Sequence, residues 1–191
     1  ISVVVLARLL SPDDFGIYTM ATVFTSIFFV FQDVGLTDAT IQAPSLNHET
    51  LSTLFWINSG IGLIIAIIVC ALGPVAVLFF KKSELKLILL ASSTAFIFWG
   101  LSVQHLALLK RKLQFTEASI ISVASYFLGT LASIIGAMMG MNYWSLVLRD
   151  IVSALFVFIL TWIFCKWRPG LPRQSSEVNK LVKFGLNSVG F

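Results

Sequence analysis

The chain has 191 residues, 58% of them hydrophobic and only 12% charged, and carries a net charge of +4; its mean hydropathy is +0.94. Soluble domains run at roughly 45–50% apolar and 25% charged, so the composition excludes an ordinary soluble enzyme and sets an all-α, polytopic membrane bundle as the expected fold class. The basic excess is spread over loops between hydrophobic segments, which fits membrane topology rather than nucleic-acid binding.

The chain opens at Ile1, with no initiator Met, inside the apolar run ISVVVLARLL. That run is too short to cross a bilayer at about 1.5 Å per residue, and it reads as the tail of a first helix, residues 1–10. A strong helix start follows. Ser11 can accept from free N–H groups, Pro12 suits the first helical position, and Asp13 and Asp14 sit where the helix dipole favours carboxylates. About 20 residues span a bilayer core, and Pro12–Gln32 is predicted as the second helix. It stops at Asp33-Val34-Gly35, where glycine can take the left-handed conformation; Asp33 itself needs a partner, because a helix C-terminus disfavours a carboxylate. Further spans are predicted at Leu54–Phe80, Leu85–Leu109, Ala118–Met139 and Trp144–Trp167, with a seventh helix beginning near Leu181 and running to 191. Pro74 is expected to kink the third. Both ends of the chain read as cuts in a longer protein.

The basic residues Lys110, Arg111, Lys112, Lys166, Arg168, Arg173, Lys180 and Lys183 lie in the loops after the second, fourth and sixth helices. They outnumber Arg8, Lys81, Lys82 and Lys86 on the other side, so the first set is expected to face the cytoplasm. The KRK run at 110–112 reads as part of that orientation signal. Every loop is short, and no phosphate-loop, HExxH, CxxC or nucleophile-elbow sequence occurs, so no enzyme is expected. Cys70 and Cys165 have no His or Cys at ligand spacing, and no metal or cofactor is called for.

A transporter needs a shaped, partly polar path between helices. In the fifth helix Ser122, Tyr126, Gly129, Ser133, Gly136 and Gly140 share one face. Gly129, Ser133, Gly136 and Gly140 are predicted to pack closely against a neighbour. In the sixth, Asn142, Ser145, Arg149 and Ser153 form a polar stripe with Asp150 about a hundred degrees away. Arg149 either lines a path or snorkels to the headgroups and pairs locally. Tyr18, Thr22 and Ser26 recur at steps of four in the second helix, with Gln32 near its end; such hydroxyls bond either their own backbone or a ligand. Gln104, His105 and Asn58 are the remaining intramembrane polar candidates, and His105 is a proton relay or a satisfied core histidine. Arg8 is expected to pair with Asp13 or Asp14 across the turn, and with Arg149 and Asp150 it is a further charged candidate for the path.

The segments ARLLSPDDFGIY, FQDVGLTDATIQ, ETLSTLFWIN, HLALLKRKLQF and GMNYWSLV, in that order, resemble the Wzx-type lipopolysaccharide and polysaccharide flippases of the multidrug/oligosaccharidyl-lipid/polysaccharide exporter superfamily. The resemblance implies two six-helix lobes related by a pseudo-twofold axis, enclosing a cavity that opens alternately to each side. Residues 1–180 would be the N-terminal lobe and 181–191 the start of the seventh helix, with the C-terminal lobe beyond. The implied cargo is a polyprenyl-pyrophosphate-linked oligosaccharide flipped across the bacterial inner membrane for lipopolysaccharide or exopolysaccharide biosynthesis. Membrane lipids, a glycan polymerase and chain-length machinery are the implied partners. Alternatives are a multidrug exporter of the same superfamily, expected to favour acidic cavity residues, and a membrane-embedded glycan polymerase or ligase, which needs a large external loop.

Overall fold

The computed structural model describes residues 2–32, 35–43, 46–173, 178 and 181–182. Asp33 and Val34 of the predicted helix stop, and residues 183–191 of the predicted seventh helix, lie outside them. The elements are α1 (Ser2–Leu9), α2 (Pro12–Gln32), α3 (Leu36–Gln42), α4 (His48–Ala71), α5 (Gly73–Phe80), α6 (Glu84–Arg111), α7 (Phe115–Met138) and α8 (Trp144–Phe164). Among the described residues there is no strand. Four helical stretches, His48–Phe80, Glu84–Arg111, Phe115–Met138 and Trp144–Phe164, are long and apolar enough to cross a membrane. The protein is a multi-pass membrane helical bundle.

Several boundaries differ from those read in the sequence, each for a local reason. The third span starts at His48, not Leu54, because Asn47 caps it, its side chain accepting from the Thr50 N–H at 2.7 Å. Hydropathy marks where the apolar stretch begins, whereas the cap marks where the helix begins. That span is also two helices. Pro74 has no N–H to offer the Cys70 carbonyl, and the chain turns at Leu72 before restarting as α5. The fifth span starts at Phe115 rather than Ala118. The sixth ends at Phe164, short of Trp167. There Pro169 disfavours helix at the residue before it, and the Arg168 guanidinium closes the end by donating to the carbonyls of Cys165 and Trp162 at 2.8 and 2.9 Å.

The 28-residue α6 is the hub, packing against α2, α3, α4, α5 and α8. It crosses α4 at two glycines: a Cβ on Gly62 would lie 2.7 Å from the Phe96 carbonyl oxygen, and one on Gly100 would lie 2.9 Å from that of Asn58. The antiparallel pair α7 and α8 flanks it, and α1 lies on α7. α7 ends in a Schellman turn, with Met141 N–H donating to Gly136 O and Gly140 N–H to Ala137 O, both at 3.0 Å. That turn requires the left-handed φ of 78° at Gly140.

Two connections fix the ends of the bundle. Asp14 is the third residue of α2 and forms a capping box with Ser11, while its other oxygen accepts the Tyr143 N–H at the start of α8 at 3.0 Å. At the opposite end the extended segment after α8 is tied to the first turns of α4: Trp56 Nε1 donates to Gly170 O, Gly170 N–H to Ser52 Oγ, and Trp167 Nε1 to His48 Nδ1.

Candidate functional site

The second, fourth, fifth and sixth predicted spans, here α2, α6, α7 and α8, enclose a cavity of about 320 Å³ whose walls carry Tyr18, Thr22, Ser26, Tyr126, Arg149, Asp150 and Ser153. Part of the wall is a hydrogen-bonded cluster. Tyr18 Oη donates to Asp150 Oδ2 at 2.6 Å, Arg149 Nη2 donates to Tyr18 Oη at 2.9 Å, and Arg149 Nε donates to Asp150 Oδ1 at 3.2 Å. The guanidinium carbon also lies 5.7 Å from the Tyr18 ring centroid, a cation–π distance. Arg149 therefore points at α2 across the cavity and not along its own helix toward the headgroups. Of its five N–H donors, those on Nη1 and the second on Nη2 are left over from these bonds.

Why the stripe on α8 faces this way is a matter of packing on α7. Gly129 lets the two helices approach so closely that a Cβ there would lie 2.0 Å from Ser153 Oγ and 2.6 Å from the Arg149 carbonyl oxygen. Ser133 is fully buried, and a Cβ on Gly136 would find ordinary to tight contacts of 3.3–3.5 Å with Met141, Ser145 and Leu148. Gly140 stands apart from this face: a Cβ there meets nothing within 4 Å, and the residue serves the turn.

On α2 the hydroxyls of Thr22, Thr25 and Ser26 all donate to carbonyls of their own helix, Thr19 O, Thr22 O and Val23 O. Having spent their protons, they offer the cavity lone pairs only. A second cavity of about 230 Å³ adjoins the first and shares Phe29 and Trp99 with it. Gln32 and Lys110 lie on its wall, so the two together form a path along α2 and α6 with a cation at each end.

A family model described as polysaccharide biosynthesis protein matches residues 5–191. The chain belongs to that family. Similar curated polysaccharide biosynthesis proteins are the lipopolysaccharide biosynthesis protein WzxC of Escherichia coli (strain K12), 25% identical over 97% of this chain and 38% of its own length, and the succinoglycan biosynthesis transport protein ExoT of Rhizobium meliloti (strain 1021), 27% identical over 100% and 38%. The teichuronic acid biosynthesis protein TuaB of Bacillus subtilis (strain 168) is 25% identical over 86% of the chain and 34% of its own length. The chain thus spans little more than a third of the length of these relatives. No solved structure matches it.

Within this member of the polysaccharide biosynthesis family, the remaining candidates lie away from the cavity. Asn58 Nδ2 donates to Gln104 Oε1 at 3.2 Å and Gln104 Nε2 to Thr40 Oγ1 at 3.4 Å, a buried chain that ties α4, α6 and α3 together. Beside it Arg111, the middle residue of the KRK run, caps α3 by donating to the carbonyls of Thr40 at 2.6 Å and Ala43 at 2.7 Å. His105 is fully buried in a box of aromatic rings, 4.8 Å from Trp162, 5.4 Å from Trp167 and 5.7 Å from Phe55 between centroids. Ser145 is buried and donates to Asn142 O. Arg8 is exposed at the end of α1, and its expected pairing is replaced: Asp13 faces Lys82 at 3.7 Å, and Asp14 is consumed by the two helix caps.

Ala21, Thr25, Phe29, Ser92, Ala95, Phe96 and Trp99, which complete the cavity wall, were not legible as such in the sequence. An apolar residue facing a cavity and one facing lipid carry the same hydropathy, so periodicity does not separate them.

Proposed function

We propose that residues 1–180 form the N-terminal lobe of a transporter that flips a polyprenyl-pyrophosphate-linked oligosaccharide across the bacterial inner membrane, with the basic ends of α6 and α8 facing the cytoplasm. The observation that carries this reading is Arg149. A pyrophosphate and a glycan cannot enter hydrocarbon without replacing their water hydrogen bonds, and Arg149 presents a guanidinium with donors to spare, held in one orientation by Tyr18 and Asp150. A guanidinium in a fixed plane binds phosphate bidentately. The α2 hydroxyls around it supply acceptors for sugar O–H groups, and the prenyl tail can stay in lipid. The names of the relatives, which speak of biosynthesis and transport of lipopolysaccharide, succinoglycan and teichuronic acid, support the same cargo class. The function is transport, with no catalytic group, and glycan polymerase and chain-length machinery act downstream.

The test is surface polysaccharide in a flippase-deficient host, normalised to the level of the full-length protein in the membrane. Arg149→Lys and Arg149→Ala are expected to insert normally, fail to restore surface glycan and leave lipid-linked oligosaccharide on the cytoplasmic leaflet. Full rescue by lysine would remove the bidentate role, since lysine keeps the charge and loses the fork.

A further inference from the structure

Trp99 lies on the wall shared by the two cavities, between the Arg149 end and the Lys110 end. Three features distinguish it from the other residues there. Its ring is partly buried against the cluster that includes Leu108, Leu109 and Val157, so the indole is braced from behind while its exposed part faces the path. Its indole N–H, like that of Trp144, meets no acceptor among the described residues, whereas those of Trp56, Trp162 and Trp167 are bonded to Gly170 O, Leu101 O and His48 Nδ1; of the two free indoles only Trp99 lines the cavities. Finally, the hydroxyls of Thr22, Thr25 and Ser26 on α2 donate to carbonyls of their own helix, so they offer acceptors only, and the indole N–H adds a donor on this wall to the hydroxyls of Ser92, Tyr126 and Ser153. A partly buried indole with a free N–H is an apolar face joined to a polar handle.

We propose that Trp99 is a sugar platform: one face of the indole carries a pyranose ring of the cargo, and its N–H donates to a ring or hydroxyl oxygen of that sugar. The proposal rests on the glycan-flipping reading above and deepens it by placing the sugar. Sugar C–H bonds are polarised by the oxygens beside them and meet the negative face of the aromatic ring favourably. The sugar hydroxyls donate in turn to Thr22, Thr25 and Ser26. The phosphates then sit toward Arg149 or Lys110 and the glycan between them, so recognition of the sugar is separated in space from recognition of the charge.

The experiment uses purified full-length protein in nanodiscs and two probes, the lipid-free oligosaccharide repeat of the host's own glycan and inorganic pyrophosphate. Affinities are measured by calorimetry for wild type, Trp99→Leu, Trp99→Phe and Arg149→Ala. Trp99→Leu keeps apolar bulk without a π face and is expected to weaken oligosaccharide binding about tenfold while leaving pyrophosphate binding unchanged. Trp99→Phe keeps the face, loses the N–H, and is expected to retain most of the affinity, which also controls for folding. Wild-type oligosaccharide affinity in Trp99→Leu would overturn the platform while leaving the Arg149 reading intact. Conversely, loss of pyrophosphate binding in Arg149→Ala with no oligosaccharide binding in wild type would sink the platform alone, and failure of wild type to bind either probe would sink both readings.

Discussion

Adding one methyl group at Gly129 is the sharpest test of how the site is held. In Gly129→Ala the new Cβ would lie 2.0 Å from Ser153 Oγ and 2.6 Å from the Arg149 carbonyl oxygen. The hydroxyl can rotate away, but the carbonyl belongs to the α8 backbone and cannot. Ordinary contact begins at 3.4 Å, so α8 must retreat by roughly 0.8 Å at Arg149, the difference between 3.4 and 2.6 Å; overpacking of this kind typically costs about 1–3 kcal/mol. The displacement falls on the residue whose side chain reaches Tyr18 at 2.9 Å, so transport per folded molecule is expected to fall along with stability. Folded yield and thermal midpoint are read by fluorescence-detected size exclusion of the full-length protein, and transport by surface glycan. Gly136→Ala, whose Cβ contacts are 3.3–3.5 Å, serves as the tolerated neighbour. Combining Gly129→Ala with Ser153→Ala relieves the hydroxyl clash alone and is expected to recover only part of the loss. Complete recovery in that double variant, or a wild-type midpoint in Gly129→Ala, would refute the argument that the carbonyl contact sets the spacing.

The other close crossing behaves alike: Gly62→Ala and Gly100→Ala each push a Cβ within 3 Å of a backbone oxygen and are expected to lower the thermal midpoint, with a destabilisation of about 1–3 kcal/mol. Gly136→Leu is expected to reduce folded yield, while Ile135→Leu at the exposed position beside it is tolerated. Asp14→Ala removes acceptors from two helix starts at once and is expected to cost about 1–2 kcal/mol, more than Asp13→Ala, whose partner Lys82 is a surface pairing. For orientation, cysteines at Ser83 and Asn142 in a version lacking Cys70 and Cys165 are expected to react with an impermeant thiol reagent added to intact cells, while one at Leu171 stays silent; the reverse pattern inverts the assignment.

The sequence by itself determined the class and the long apolar spans, because about 20 apolar residues in a row have few structures available once no water can satisfy the backbone; it did not show the short α3 or the division of the third span into α4 and α5. It also placed the start of α2 through Ser11 and Pro12, and it put Tyr18, Thr22 and Ser26 on one face of α2 and Arg149 and Ser153 on one face of α8, since helical spacing alone decides which residues share a face. Spacing does not say what a face meets. Asp150, about a hundred degrees from that stripe, pairs with its neighbour Arg149, and both are bonded to Tyr18, from a helix more than a hundred residues away in the chain. The same limit explains Asn58, Gln104 and His105, whose rarity in a membrane helix suggested a path but whose partners turned out to be one another, α3 and a ring of aromatics. Trp99 shows the converse. Its place on the shared wall depends on how α6 is rotated between α2 and α8, and that rotation is set by the glycine crossing at Gly62 and Gly100, a contact between two backbones that only the folded bundle brings together.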